Sequence, residues 1–297
     1  MRLSLSTLLI AYFGLGLALS SWDDSSRQNS IRELRSKLAP TEDHKPLSWW
    51  TKVDPKHGYR AEIIRLDLHD PTYEIDLWVN PAYTNSSTLG DGRLEPATST
   101  ARVADFNLSV NATPFALPGK TPLKSETWRS YIPGSPVQLR GLTMPRGGPI
   151  YGEQVAPNFP ILWQDINGEY WLTDKIPQRA QWMLNGFSWL VSDGKIDRKT
   201  EADLRKAART AVGISKDKKW LYIVVVPQNN SNPRNLGASL PNLANLLIKI
   251  GAHNAANLDG GSSTTFVIKD GSSYECAIEP KRWLSRPIPV MLGIRER

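Results

Sequence analysis

Disulfide chemistry is nearly absent from this chain. It has one cysteine, Cys276, in 297 residues, so no internal disulfide can form. A secreted domain stapled by disulfides shows an even set of cysteines. This one must rest on burial, and about 270 mature residues are enough for a sizeable core. The four histidines and the lone cysteine offer no pair at zinc-ligand spacing. Apart from residues 3–19, no run is apolar enough to cross a membrane, which takes about 20 residues. There is no repeat of fixed period. There is also no basic helix, finger spacing or aromatic RNA motif, so nucleic acid is not an expected partner despite a net charge of +7.

The N-terminus has the pattern of an export signal. Met1-Arg2 is a short basic start, Leu3 to Leu19 is almost wholly apolar or small, and Ala18-Leu19-Ser20 resembles a signal peptidase site. Cleavage after residue 20 makes the product secreted or periplasmic. The alternative is an uncleaved anchor, which would be the chain's only contact with a membrane. Removing residues 1–20 takes away Arg2 and no acid, leaving a net charge of +6. A modest basic excess suits an acidic polysaccharide or envelope phosphates, and it equally describes an ordinary basic surface. Residues 21–48 read as a tether. Within it, Ser30-Ile31-Arg32-Glu33 is a capping box that starts a short helix running to about Leu38. The folded body is expected over residues 49–297.

Strand patterns dominate that body. Ala61–Leu68 and Tyr73–Val79 alternate apolar and polar residues on either side of His69-Asp70-Pro71, which reads as a hairpin. Residues 80–100 read as loop and Phe106–Phe115 as strand. Leu117–Gly152 is rich in proline and glycine and reads as long loops with short strands between them. Tyr170–Leu172, Trp182–Val191 and Trp220–Val226 read as strands, and Glu201–Arg209 as helical. The clearest element is a helix over about 240–250. Leu240, Leu243, Ala244, Leu246, Leu247 and Ile250 recur at helical spacing, Ser239 is the N-cap, Pro241 lies in the first turn and Gly251 is the stop. The fold class is therefore α+β: a single sheet-rich domain of mixed or antiparallel strands, one long helix and long Pro/Gly-rich loops. Of the 11 tryptophans, Trp163, Trp171, Trp182, Trp189 and Trp220 read as core. Trp128 and Trp283, in polar surroundings, are candidates for a sugar platform.

The chemistry concentrates after that helix. A short apolar strand, Ala255–Leu258, ends on Asp259, followed by Gly260, Gly261, Ser262, Ser263, Thr264 and Thr265. Glycines there allow backbone angles that other residues resist, and their amides can form an anion-binding nest. Asn257-Leu258-Asp259-Gly260-Gly261-Ser262-Ser263-Thr264 resembles the signature of the phosphodiester glycosidase family. Further segments match in order: Asn111-Ala112-Thr113-Pro114-Phe115, Asn185-Gly186-Phe187-Ser188-Trp189 with Asp193-Gly194, Ala208-Arg209-Thr210-Ala211-Val212-Gly213, and Arg286-Pro287-Ile288-Pro289-Val290. Ser262 stands where relatives usually carry a third glycine.

The resemblance implies a hydrolase that cleaves a sugar, such as N-acetylglucosamine, from a phosphodiester in a phosphoglycan or a nucleotide-sugar-like substrate. Glycoside hydrolysis normally uses two carboxyl groups. A phosphate leaving group, with a conjugate acid of pKa about 6, needs little protonation, so one carboxylate and a cationic or amide cradle suffice. Asp259 is then the principal carboxylate, stabilising an oxocarbenium-like centre or activating water. Arg209 neutralises the phosphate through its guanidinium fork. The Gly260 and Gly261 amides and the Ser262 and Ser263 hydroxyls bind phosphate or sugar oxygens. Asn111 binds a sugar hydroxyl or N-acetyl group, and Thr210 orients Arg209 or the substrate. Glu153 and Asp105 are the options for a second acid.

Structural alternatives stand beside each role: a turn cap for Asp259, an ion-pair partner for Arg209, a buried backbone contact for Asn111 and plain turn positions for the serines. No cofactor is expected, although the Asp and hydroxyl cluster also resembles a set of Ca²⁺ oxygen ligands. The functional alternative is a non-catalytic polysaccharide-binding envelope protein on the same fold.

Overall fold

In a computed structural model, which describes residues 25–41, 45–82, 90–118, 131–153, 158–229, 235–278 and 286–297, the strand Trp220–Val226 lies inside a sheet covered on both faces. This explains its sequence, Trp-Leu-Tyr-Ile-Val-Val-Val, which lacks the alternation of a half-exposed strand. The sheet has seven antiparallel strands, in the order Leu47–Asp54, Tyr59–Asp67, Trp220–Val226, Arg209–Ile214, Asn254–Asn257, Ser188–Ser192 and Lys195–Ile196. Successive residues point to opposite faces, so Ile63 and Val224 join one core while Ile64 and Ile223 join the other.

The first of these cores is closed by the helix Leu240–Lys249, which buries Leu243, Ala244 and Leu247 against Ala61, Ala211 and Val224. The helix forms as its capping pattern predicts. Ser239 accepts a hydrogen bond from the Asn242 N–H at 3.4 Å, and Gly251 stops it with φ of +108°. The second and larger core lies under a five-stranded antiparallel sheet ordered Ser273–Cys276, Phe266–Asp270, Leu108–Asn111, Val290–Glu296 and Tyr73–Val79. Val110, Phe266, Leu292 and Ile294 from this sheet pack with Trp49, Leu66 and Val212 from the first. Smaller sheets of four and three strands complete the fold. The α+β, mostly antiparallel class is as expected.

Several local expectations are corrected. The 61–68 and 73–79 segments do not form a hairpin. Tyr59–Asp67 pairs with Leu47–Asp54 and Trp220–Val226, whereas Tyr73–Val79 crosses to the five-stranded sheet and pairs with Val290–Glu296. Alternation marks the strands but not their partners. The 182–191 run is two strands in different sheets, Ala180–Asn185 and Ser188–Ser192, with Gly186 at the break. Helix is confined to Arg198–Glu201, and Arg209 begins a strand. A helix, Ala97–Val103, begins within the segment read as loop and runs past its end, burying Ala97, Thr100 and Ala101. The N-terminal helix covers residues 25–37 and is packed on the body: Ile31 is buried in the larger core. Of the tryptophans expected in the core, Trp182 is fully buried, while Trp163 and Trp171 are half-buried and stack on each other at 5.9 Å. Trp128 and Trp283 lie outside the described residues.

Gly293 shows how closely the five-stranded sheet is covered. A Cβ there would sit 2.1 Å from the ring of the buried Phe106. Gly293→Ala must displace that ring, and chemical denaturation should show a loss of about 1–3 kcal/mol, typical of overpacking. A variant as stable as the parent would mean that Phe106 has room to move.

Candidate active site

The strand Asn254–Asn257 enters at one end of the large sheet and delivers Asp259 into the space between the two main sheets. Three backbone bonds fix its exit. The Leu258 N–H donates to Thr210 O at 2.8 Å, the Asp259 N–H to Ala112 O at 3.0 Å and the Gly261 N–H to Ala208 O at 2.8 Å. The chain then makes a single 3-10 turn, Gly261–Ser263, with Gly261 at φ of +63°.

Both glycines are required, for different reasons. A Cβ at Gly260 would lie 2.9 Å from the carbonyl oxygen of Ala208, a backbone atom that cannot swing away, whereas one at Gly261 would meet open space. Gly260→Ala should therefore cost about 1–3 kcal/mol and disturb the loop. Gly261→Ala should cost about 1 kcal/mol through its left-handed backbone alone. Thermal melts of the two variants check this order, and equal losses would contradict the contact at Ala208.

Asn111 is the strut beneath the loop. Its Nδ2 donates to Asp259 O at 2.7 Å, while its Oδ1 accepts from Thr210 Oγ1 at 2.7 Å and from the Thr265 N–H at 3.1 Å. Asn111 and Thr210 are 1% and 0% exposed, so the structure sets both beneath the loop rather than on its open face. The Gly260 and Gly261 amides are spoken for as well. The first donates to Asp259 Oδ1 at 2.9 Å and the second to Ala208 O, so neither forms the expected open anion nest.

Arg209 is also placed differently from expectation. Thr210 faces the space between the sheets, while Arg209 points to the other face. There its Nε donates to Ala238 O at 3.2 Å and its Nη2 to Arg205 O at 2.9 Å. Burial, with Arg205 adding to it and Asp203 opposing it, holds the Arg209 pKa below the usual guanidinium range.

The cation beside Asp259 is instead Arg286. Its Nη1 donates to Ser262 Oγ at 3.2 Å and approaches Ser263 Oγ at 3.5 Å. Its guanidinium stacks 3.6 Å from the Tyr131 ring centroid and 4.6 Å from that of Phe115, and these two rings pack edge to face. The aromatic walls hold the planar fork in place next to the serines. Burial raises the Asp259 carboxyl pKa to about 6 against the pull of the Ser263 hydroxyl, the Arg286 charge and the Gly260 N–H. The structure thus brings together Asp259, Ser262, Ser263 and Arg286. Sequence reading reached Arg286 only as the start of a closing strand, because 26 intervening residues carry no sign of the proximity. Phe115 was inside a matched segment, but its role as a wall depends on the three-stranded sheet.

Neither option for a second acid is well placed in this arrangement. Asp105 bonds Lys269 Nζ and Tyr274 Oη, each at 2.7 Å, and Lys269 leads in holding its pKa below the usual carboxylate range. Glu153 is exposed and paired with Arg140 at 3.0 Å. Among the described residues, no group of three or more His, Cys, Asp or Glu is positioned to share a metal ion.

The family model for phosphodiester glycosidases matches residues 140–295, more than half of the chain. The chain belongs to the phosphodiester glycosidase family. The match includes Asp259 and Arg286 and leaves out Asn111 and Phe115. Several solved structures share the fold. The zebrafish N-acetylglucosamine-1-phosphodiester alpha-N-acetylglucosaminidase catalytic domain, auto-inhibited by its pro-peptide, aligns with a TM-score of 0.60 at 19% identity, covering 88% of this chain and 87% of that one. A putative exported protein of Burkholderia pseudomallei aligns at 0.53 and 13% identity, covering 80% and 74%. A hypothetical protein from Synechocystis aligns at 0.50 and 15%, covering 86% and 64%. At such identities these likenesses concern the fold alone. None of the curated proteins searched matches this chain. Membership makes this a glycosidase-type hydrolase fold with phosphodiester-linked sugars as the substrate class of its family.

Proposed function

We propose that this chain is an exported hydrolase that releases a sugar, N-acetylglucosamine or a close relative, from a sugar-1-phosphodiester in an extracellular or envelope glycan. The observation that carries this reading is the placement of one carboxyl, Asp259, beside a guanidinium, Arg286, that packs against two aromatic rings. A phosphate departing from an anomeric carbon needs its growing charge neutralised more than it needs a proton. Arg286 offers a planar fork suited to two phosphate oxygens, and the Ser262 and Ser263 hydroxyls extend it. Asp259, with a pKa of about 6, is mainly ionised at neutral pH. It is then free to stabilise positive charge at the anomeric carbon or to take a proton from the attacking water. Asn111 and Thr210 contribute by fixing the loop that carries Asp259. Export rests on the N-terminal segment, which lies outside the described residues.

The test incubates the mature protein with methyl N-acetylglucosamine-1-phosphodiester and with UDP-N-acetylglucosamine, with and without EDTA. Free sugar should appear from at least the methyl diester and should survive EDTA. Loss on chelation with recovery in Ca²⁺ would give the Asp and hydroxyl cluster a metal role. Tight binding of both compounds without release would favour the binding-protein alternative.

A further inference from the structure

Gly186 and Phe187 form the break between the strands Ala180–Asn185 and Ser188–Ser192, and the Phe187 ring there is 51% exposed. Its N–H donates to Asn257 O at 2.7 Å, which joins it to the strand that leads, two residues later, to Asp259. A single exposed hydrophobic residue is normal on a protein surface. This one is unusual in how firmly it is held and in what it stands beside.

The Gly186 N–H donates to Pro160 O at 2.7 Å. Asn185 reinforces the same join, its Nδ2 donating to Pro160 O at 3.0 Å and to Gly186 O at 3.2 Å. A Cβ at Gly186 would lie 3.0 Å from both Ala256 Cβ and Pro160 Cγ, so the break is packed closely against its neighbours. The residue before Pro160 is Phe159. Its ring backs Phe187, with centroids 6.3 Å apart and planes at 42°. The fold thus pins two aromatic segments together and leaves one ring half in water.

The polar groups bordering this break are incompletely used. Asn185 is 1% exposed and Asn257 4%, yet the Oδ1 atoms of both are buried and have no partner among the described residues. Buried acceptors without partners are rare and gather where a fold serves a function besides stability. A sugar is a ligand rich in hydroxyl donors. It also carries C–H groups on its ring faces, which the negative face of an aromatic ring attracts, while that face repels phosphate.

We propose that Phe187, backed by Phe159, is the platform on which the sugar ring of the phosphodiester stacks, and that it determines specificity for the sugar rather than for the group beyond the phosphate. The identity of the substrate rests on the proposed hydrolysis. Arg286 and Phe187 approach Asp259 from different parts of the fold. Arg286 precedes the last strand of the five-stranded sheet, and Phe187 is tied to the Asn254–Asn257 strand of the large sheet. A sugar 1-phosphate lying across Asp259 then sets its phosphate at the cation and its ring at the aromatic pair. Asn185 is a positioning residue for that platform.

The experiment measures binding by NMR titration in the Asp259→Asn protein, where turnover does not intervene. The ligands are methyl N-acetylglucosamine-1-phosphodiester and dimethyl phosphate, which has the diester and no sugar. Adding Phe187→Ala should weaken the sugar diester about tenfold and dimethyl phosphate by less than about twofold, as expected for losing one apolar contact face. The melting temperature should stay unchanged. Phe187→Trp keeps a flat ring and should bind the sugar diester as the parent does. No binding of the sugar diester, equal weakening of both ligands by Phe187→Ala, or a tryptophan variant as weak as the alanine one would overturn the proposal. The same substitutions in the Asp259-containing protein separate the two readings. Sugar binding that depends on Phe187 without any sugar release keeps the platform and removes the hydrolysis. Release with a KM indifferent to Phe187→Ala keeps the hydrolysis and removes the platform.

Discussion

Asp259→Asn is expected to lower the rate of sugar release by about 10²–10⁴-fold, the range for removing a positioned acid–base group, and to leave the fold as stable as before or more so at pH 7.5. The asparagine oxygen can still accept from the Gly260 N–H and from the Ser263 hydroxyl, so the turn keeps its bonds. What it loses is a charge that the native site disfavours.

The sign follows from linkage. Asp259 has a pKa of about 6 when folded against 3.8 as its ordinary value, so between those pH values the native state binds more protons than the unfolded chain. Stability contributed by this group is therefore present at low pH and is lost as pH rises from about 4 to about 6. Above that window the ionised carboxylate costs at most roughly 3 kcal/mol, and less to the extent that the half-buried group keeps some water. Denaturation of parent and variant at pH 5 and pH 7.5 should show the variant gaining relative stability at the higher pH. The parent's rate should rise with pH through a limb near 6, as the carboxylate form appears. Full activity in the variant would remove Asp259 from the chemistry, and equal destabilisation at both pH values would make it a turn cap.

How far the sequence leads depends on whether a feature is local. The helix Leu240–Lys249 and the apolar strand before Asp259 are legible because cap, periodicity and stop all lie within a dozen residues. Turns are equally readable: Asp193-Gly194 closes a tight hairpin with φ of +50° and +74°. Pairing is another matter. Tyr59–Asp67 and Tyr73–Val79 read as neighbours, yet the chain crosses to another sheet between them, and their partners Trp220–Val226 and Val290–Glu296 lie more than 150 residues further on.

The site divides in the same way. Asp259 and its glycines form one contiguous motif. Arg209, also in a motif, faces the wrong side of its strand, because alternation sends it opposite to Thr210. The motif shows that a residue matters without showing which way it points. Asn111 is the opposite case. Its motif was found, but its three bonds to Asp259, Thr210 and Thr265 identify it as a strut, which only the folded chain reveals.

The same reasoning sets the second expectation. Arg286→Ala should reduce kcat/KM by about 10²–10³-fold, comparable to deleting one donor aimed at developing charge. Arg286→Lys should recover little of this, since an ammonium keeps the charge but neither the fork nor the packing of a planar guanidinium against Tyr131 and Phe115. A purely structural role for Arg286 would predict loss of stability without a change in pH dependence. A role beside Asp259 predicts more. Removing the Arg286 charge takes away one of the influences that lower the Asp259 pKa, so the rising limb of the pH–rate profile should move above 6 in the alanine variant and less in the lysine variant. Arg209→Ala is the comparison. Its guanidinium is tied to the Ala238 and Arg205 carbonyls, so it should lose stability and leave the limb in place. If Arg209→Ala instead abolished sugar release with its melting unchanged, and Arg286→Ala left both rate and limb intact, phosphate neutralisation would belong to Arg209, and the aromatic packing against Arg286 would be structural.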